Sequence, residues 1–253
     1  MAELDLVANQ DAEAKPVVVR DIEGFRRMPD EYKELVIHQL RAHTEGELTG
    51  ADDYTSIFFP MAPDAYERQV CCERAWEELD HYLRGARVLD EIGIDTSYML
   101  KQNIEQREYY RTQGVRKIPT WVARGLFSFV GEQAILMTIE EMAESSYLPI
   151  RDMCKSVIID EYIHVAHGYR ITQEYCKTDE GRAEVQKSLD NAWPVSLDLF
   201  GRKDSERSKL YLKWGLRKYS NEEARQRYIK FMVPRLELLG LTVPDNTARR
   251  QFL

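Results

Sequence analysis

Helix-breaking residues are scarce along this chain. Nine prolines and thirteen glycines are spread over 253 residues, and no stretch alternates apolar and polar residues for the length of a strand. That scarcity excludes a turn-rich sandwich or barrel and predicts an all-α protein. No apolar run approaches 18 residues, so no membrane span is expected. Basic charge is in deficit. The 35 Lys and Arg stand against 43 Asp and Glu, and a net charge of −8 argues against nucleic acid as the main partner. The four cysteines, Cys71, Cys72, Cys154 and Cys176, make no C-x-x-C pair. Zinc ribbons and thioredoxin-type motifs are thereby excluded, and reduced thiols on helices are expected. Met1 to Lys15 is acidic, with no apolar signal core, which gives the expectation of a cytoplasmic protein.

What is present reads as one helical domain over residues 1–253, a length that suits a single sizeable core. Residues 1–20 are polar and then β-branched, and read as a flexible or extended arm. Pro29-Asp30 opens a helix from Glu31 to about Leu48, followed by a loop ending at Pro60 and Pro63. Asp64 starts a second helix that runs to Glu91, with Gly93 as its stop. A third is predicted from Asp95 or Thr96 to near Gly114. Pro119-Thr120 opens a fourth to Ser145, and Pro149 a fifth to Cys176. Three shorter helices follow: Glu180–Leu199 interrupted at Pro194, Ser205–Lys218, and one capped by Ser220 with Glu223 that continues past a kink at Pro234.

Two short motifs carry chemistry. Glu78-Leu79-Asp80-His81 and Glu161-Tyr162-Ile163-His164 each place a carboxylate and an imidazole one turn apart on a helix. With five histidines, chance supplies about half of one such pair. Each pair is preceded at a similar distance by Gly-Glu: Glu47 lies 31 residues before Glu78, and Glu132 lies 29 before Glu161. Gly85 and Gly168 follow the two histidines by four residues. The chain therefore repeats Gly-Glu … Glu-x-x-His-x-x-x-Gly, and a glycine inside a helix costs about 1 kcal/mol relative to alanine. Space at these positions serves either close helix packing or a pocket, and the sequence leaves both open.

Two Glu-x-x-His helices and two Glu helices are the ligand set of a carboxylate-bridged di-metal site in a ferritin-like four-helix bundle. The expected ligands are Glu47, Glu78, His81, Glu132, Glu161 and His164, with additional helices on the C-terminal side. Hard oxygen donors with one imidazole per ion suit two iron ions, or manganese, better than thiolates would. The four glutamates are thus expected to take part in catalysis as well as in metal binding. Asp160 and Glu77 immediately precede the motif glutamates and are candidates to hold the metal-bound imidazoles from behind. His167 is expected to be a satisfied polar group or such a support, and His38, His43, Tyr82 and Tyr162 to be structural.

The chain also resembles the phenylacetate-catabolism family of ferritin-like proteins, most closely its catalytic ring-epoxidising subunits. The likeness runs from Met28-Pro29-Asp30-Glu31-Tyr32, through both metal motifs and Asn221-Glu222-Glu223-Ala224-Arg225-Gln226-Arg227. It ends in Leu238-Leu239-Gly240-Leu241-Thr242-Val243-Pro244-Asp245. The resemblance implies a di-iron monooxygenase that activates O2 and inserts one oxygen atom into an aromatic ring held as a CoA thioester. It also implies a separate reductase and a ferritin-like partner subunit. The resembling subunits carry Asp where this chain has Glu132, and an extension past the position of Leu253. If that extension helps to hold the CoA group or the partners, substrate and assembly differ here, and a divergent branch with another substrate is a further reading. Two other readings stay open: a non-catalytic structural subunit of such a complex, and an iron-oxidising ferritin-like protein.

Overall fold

In a computed structural model that describes residues 17–108 and 118–252, helices account for nearly all regular structure. They are α1 Ile22–Arg26, α2 Asp30–Asp53, α3 Phe59–Met61, α4 Ala65–Glu91, α5 Trp121–Met142, α6 Leu148–Tyr175, α7 Asp179–Asp198, α8 Glu206–Lys213 and α9 Asn221–Leu238. Local chemistry sets several boundaries. The Asp64 and Thr120 side chains accept from the third amides of α4 and α5, and Ser220 with Glu223 closes a reciprocal cap on α9. Gly93 and Gly240 end α4 and α9 in the left-handed region, with φ of +84° and +74°.

The order of apolar residues along each long helix gives the topology. Val36 and Leu40 of α2, Val88 and Leu89 of α4, Ile139 and Met142 of α5, and Ile150 to Val157 of α6 share one cluster. Tyr54 and Phe58, Cys71 and Ala75, Trp121, and Ile171 share a second. Along α2 and α6 the chain passes from the first cluster to the second, and along α4 and α5 it returns. So α2–α4 and α5–α6 are antiparallel pairs, and each packs along its partner. The motif residues fall between the two apolar layers. A further cluster buries α7 and α9 against α5 through Leu126, Val130, Trp193 and Tyr228.

Several sequence expectations are corrected. α2 does not stop at Leu48. It continues to Asp53, then through a π-helical stretch, Tyr54–Phe58, into α3. Burial of Tyr54 and Phe58 against α4 and α5 outweighs the loop-like composition, and Pro60 is accommodated in the first turn of α3. The helix expected from Asp95 is, as far as Glu108, two short 3₁₀ turns, Met99–Lys101 and Ile104–Gln106; residues 109–117 of that expectation lie outside the described residues. α7 runs through Pro194 without interruption, its Trp193 and Leu197 fully buried, and α8 ends at Lys213. Of the predicted arm, residues 1–16 lie outside the described residues. Val19 is laid beside Tyr147, donating to the Ser146 carbonyl at 2.8 Å and accepting from Leu148 at 2.9 Å. Although no run in it is continuously apolar, α5 is long and apolar enough, by length and composition, to cross a membrane. Most of it is buried against α6 and α7.

Candidate metal centre

Four helices deliver the motif residues to one level of the bundle. Glu47 comes from α2, Glu78 and His81 from α4, Glu132 from α5, and Glu161 and His164 from α6. All six are buried, the two histidines completely. Glu47, Glu78, His81 and Glu161 offer ligand atoms that lie within 4.8 Å of one another, an arrangement that could hold a metal ion. His81 Nδ1 stands 3.3 Å from Glu47 Oε2 and 3.2 Å from Glu161 Oε1.

Glu132 and His164 lie beside this quartet rather than inside it. His164 Nδ1 is 3.4 Å from Glu78 Oε1, too far for a good hydrogen bond, and has no partner of its own. Glu132 Oε2 is likewise buried and unpartnered. The two imidazoles stack with ring centres 6.3 Å apart. An unsatisfied buried carboxylate oxygen and ring nitrogen are costly, and a cation between them and Glu78 would satisfy both.

The far side of each imidazole is held across the α4–α6 seam. His81 Nε2 meets Asp160 Oδ2 at 3.2 Å, and His164 Nε2 meets Glu77 Oε2 at 2.8 Å. Since a carboxylate only accepts, each Nε2 carries the hydrogen and each Nδ1 faces the cluster. Arg74 in turn donates to Glu77. The structure thus brings Asp160 and Glu77 to the imidazoles, each holding the histidine of the opposite helix.

Electrostatics mark a site short of positive charge. Burial works to raise Glu47, yet His43 and His81 hold it well below the usual carboxylate range. Burial, with Glu47 and Glu161 alongside, pushes Glu78 well above that range. Burial also raises Glu132, against the pull of His164 and Arg124. Against its own burial, His81 is pushed up to about 11 by hydrogen bonds to Glu161 and Glu47. In the metal-free chain, protons on Glu78 and His81 thus supply charge that a bound cation would displace.

Of the other residues at the site, Tyr54 and Arg124 were not singled out from sequence, and His43 was expected to be structural. His43 lies one turn before Glu47, and its Nδ1 meets Glu47 Oε1 at 3.0 Å. That i, i+4 spacing was legible. Tyr54 packs edge-on to His164 and accepts from Arg124 at 3.0 Å. Arg124, fully buried, lies among the rings of Tyr54, Phe58 and Trp121 and donates to His167 Nδ1. His167 therefore donates through Nε2 to Glu67, at 2.8 Å. It is a satisfied polar residue, one of the two roles expected for it.

The glycines separate by role. A Cβ on Gly168 would meet the backbone of α5, and one on Gly85 would meet Thr44, so both serve close packing. Nothing stands within 4 Å of a Cβ on Gly46. It lines a cavity of ≈ 320 Å³ between α2 and α5, which do not pack closely on each other. Glu47, Glu78, Glu132 and Glu161 also line the cavity, as do Ile135, Ile139 and Met142.

A helical bundle that encloses glutamates and histidines from four helices, with a cavity beside them, is the architecture of the ferritin-like carboxylate–histidine proteins. This chain belongs to the phenylacetic acid catabolic protein family, whose family model matches residues 9–252. It is similar to the A subunit of 1,2-phenylacetyl-CoA epoxidase from Escherichia coli (strain K12). The two are 24% identical over 223 residues, which span 86% of this chain and 71% of that protein.

Proposed function

We propose that this chain is the oxygen-activating subunit of a multicomponent monooxygenase, with two iron ions held by Glu47, Glu78, His81, Glu132, Glu161 and His164. The observation that carries the reading is the pair of buried, unpartnered ligand atoms, Glu132 Oε2 and His164 Nδ1, beside a compact quartet of further ligands. Similarity to an epoxidase subunit supports an oxidoreductase role, and supports an aromatic substrate carried as a CoA thioester. Bound iron would supply the reduction of O2 and the transfer of one oxygen atom to the ring.

The chain's own residues do the rest. Asp160 and Glu77 fix the imidazole tautomers and His43 orients Glu47. The apolar layers on either side of the ligand level exclude water, which strengthens every charge interaction inside. Ile135, Ile139 and Met142 give a flat ring an apolar wall facing the carboxylates. That substrate-sized space favours substrate oxidation over iron storage, and retention of all six ligands favours a catalytic over a structural role. Electrons come from a separate reductase. A ferritin-like partner subunit packs on the outer faces of α4 and α6, where Trp76, Leu79, Leu83, Ile159 and Ile163 stand exposed.

Iron content and the optical spectrum of the purified chain test this directly. About two iron ions per chain are expected, falling to below one in Glu161→Ala and His164→Ala. Fewer than about one iron in the parent chain, under iron-replete anaerobic conditions, refutes the reading.

A further inference from the structure

Arg124 is fully buried, yet no carboxylate pairs with it directly among the described residues. It lies on α5 about two turns before Glu132. Its guanidinium stands over the rings of Tyr54, Trp121 and Phe58, at 5.2, 5.2 and 5.6 Å. Its hydrogen bonds reach the Tyr54 hydroxyl at 3.0 Å and His167 Nδ1 at 3.2 Å, and its Nε has no partner. Both partners are neutral. Burial, with Arg124 beside it, lowers His167 to about 4, so that ring carries no charge near neutral pH. A buried cation is costly unless opposite charge nearby offsets it.

Two sources of negative charge lie within reach, on different sides. Glu67, itself buried, sits behind His167 and accepts from its Nε2 at 2.8 Å, so the imidazole bridges guanidinium and carboxylate. Arg170, at the surface, donates to the other oxygen of Glu67 at 2.5 Å. The second source is the metal centre. The Tyr54 ring is 5.2 Å from the guanidinium and 6.1 Å from the His164 ring, which puts the cation no more than about 11 Å from that ligand. Burial raises Glu132, and His164 and Arg124 pull against it, so the field of Arg124 reaches the ligands. Across protein instead of water, salt screens a charge at that distance weakly.

We propose that Arg124 sets the charge balance of the metal centre: its buried cation opposes the ions held by the six ligands, and Glu67, acting through neutral His167, moderates that opposition. The proposal rests on the metal-centre reading above and adds the group that limits how tightly the ions are held. Four carboxylates match two divalent ions in charge, and Arg124 adds an unmatched positive unit. Each electron removed from the ions increases the repulsion, so Arg124 favours the reduced pair.

The test titrates manganese(II) into the full chain, stripped of metal, under chelator competition near neutral pH. Arg124→Gln, which removes the cation, should bind manganese(II) at least about fivefold more tightly than the parent. Arg124→Lys, which keeps the cation, should stay within about twofold of the parent. Glu67→Gln keeps a hydrogen-bond acceptor and removes the opposing charge, so it should bind at least about threefold more weakly. A merely structural role weakens binding in both neutral variants, whereas charge moves them in opposite directions. Arg124→Met serves if the glutamine variant fails to fold, and Glu67→Gln reads the same field independently. Binding that does not tighten in the cation-free variant, that tightens equally in Arg124→Lys, or that does not weaken in Glu67→Gln overturns the proposal. A parent chain that binds no manganese(II) overturns the metal-centre reading as well.

Discussion

Gly168→Ala and Gly46→Ala should move stability in opposite directions, although both belong to the same repeated glycine-bearing pattern. On α6, a Cβ at Gly168 would stand 2.5 Å from the Phe129 nitrogen, 2.6 Å from Ser128 Cβ and 2.7 Å from the Gly125 carbonyl oxygen. Ordinary contact needs about 3.5–4.0 Å, so the shortfall is about 1 Å. Two of the three obstacles are backbone atoms of α5, which cannot swing aside. Overpacking of this kind costs about 1–3 kcal/mol, and replacing a helical glycine returns about 1 kcal/mol. With the backbone as the obstacle the upper part of that range applies, and the net loss is about 1–2 kcal/mol. At Gly46 nothing opposes the methyl group, so the propensity gain of about 1 kcal/mol stands alone. In a chain of this size, 1 kcal/mol moves Tm by about 2–4 °C. Urea unfolding of the metal-free proteins, followed by far-UV circular dichroism, measures both. A Gly168→Ala protein as stable as the parent, or a destabilised Gly46→Ala, would show that the packing argument is wrong. The same Gly46 methyl narrows the cavity, so the stabilised variant should bind aryl probes less well.

Asp160→Ala should weaken metal binding about 10- to 100-fold in a chelator competition while the metal-free fold is kept, because His81 loses the group that fixes its ring; an unchanged affinity contradicts that role. A pH effect is expected from His38, which burial, with Arg207 beside it, lowers to about 4. The folded ring stays neutral where the unfolded chain takes up a proton. Its contribution to stability is therefore full above about pH 6.5 and is lost as pH falls toward about 4. Discounted for the ring's partial exposure, the loss is about 1 kcal/mol. His38→Gln should flatten that part of the stability–pH curve, and an unchanged slope places the titrating group elsewhere.

The long helices and the meeting of Glu47, Glu78, His81 and Glu161 were legible because helical periodicity and motif spacing are local properties. The crossing of Asp160 and Glu77 to opposite histidines was half legible. Adjacency to the motif glutamates marked both residues, but not which ring each would meet. The extension of α2 through Tyr54–Phe58 was missed because its cause lies on other helices, in Arg124 and Trp121. The mistaken helix after Asp95 has the converse origin. The stretch has helix-compatible composition, yet the chain there follows side-chain anchors such as Arg107, which reaches back to Thr49 and Asp52.

Because Asp160 of α6 holds the ring of α4, and Glu77 of α4 holds the ring of α6, neither repeat contains its own complete half-site. A slide of one helix past the other by a single turn would release both imidazoles together. The seam thus acts as a registration key between the two Glu-x-x-His helices. Neither helix can shift without disturbing the imidazole that the other carries.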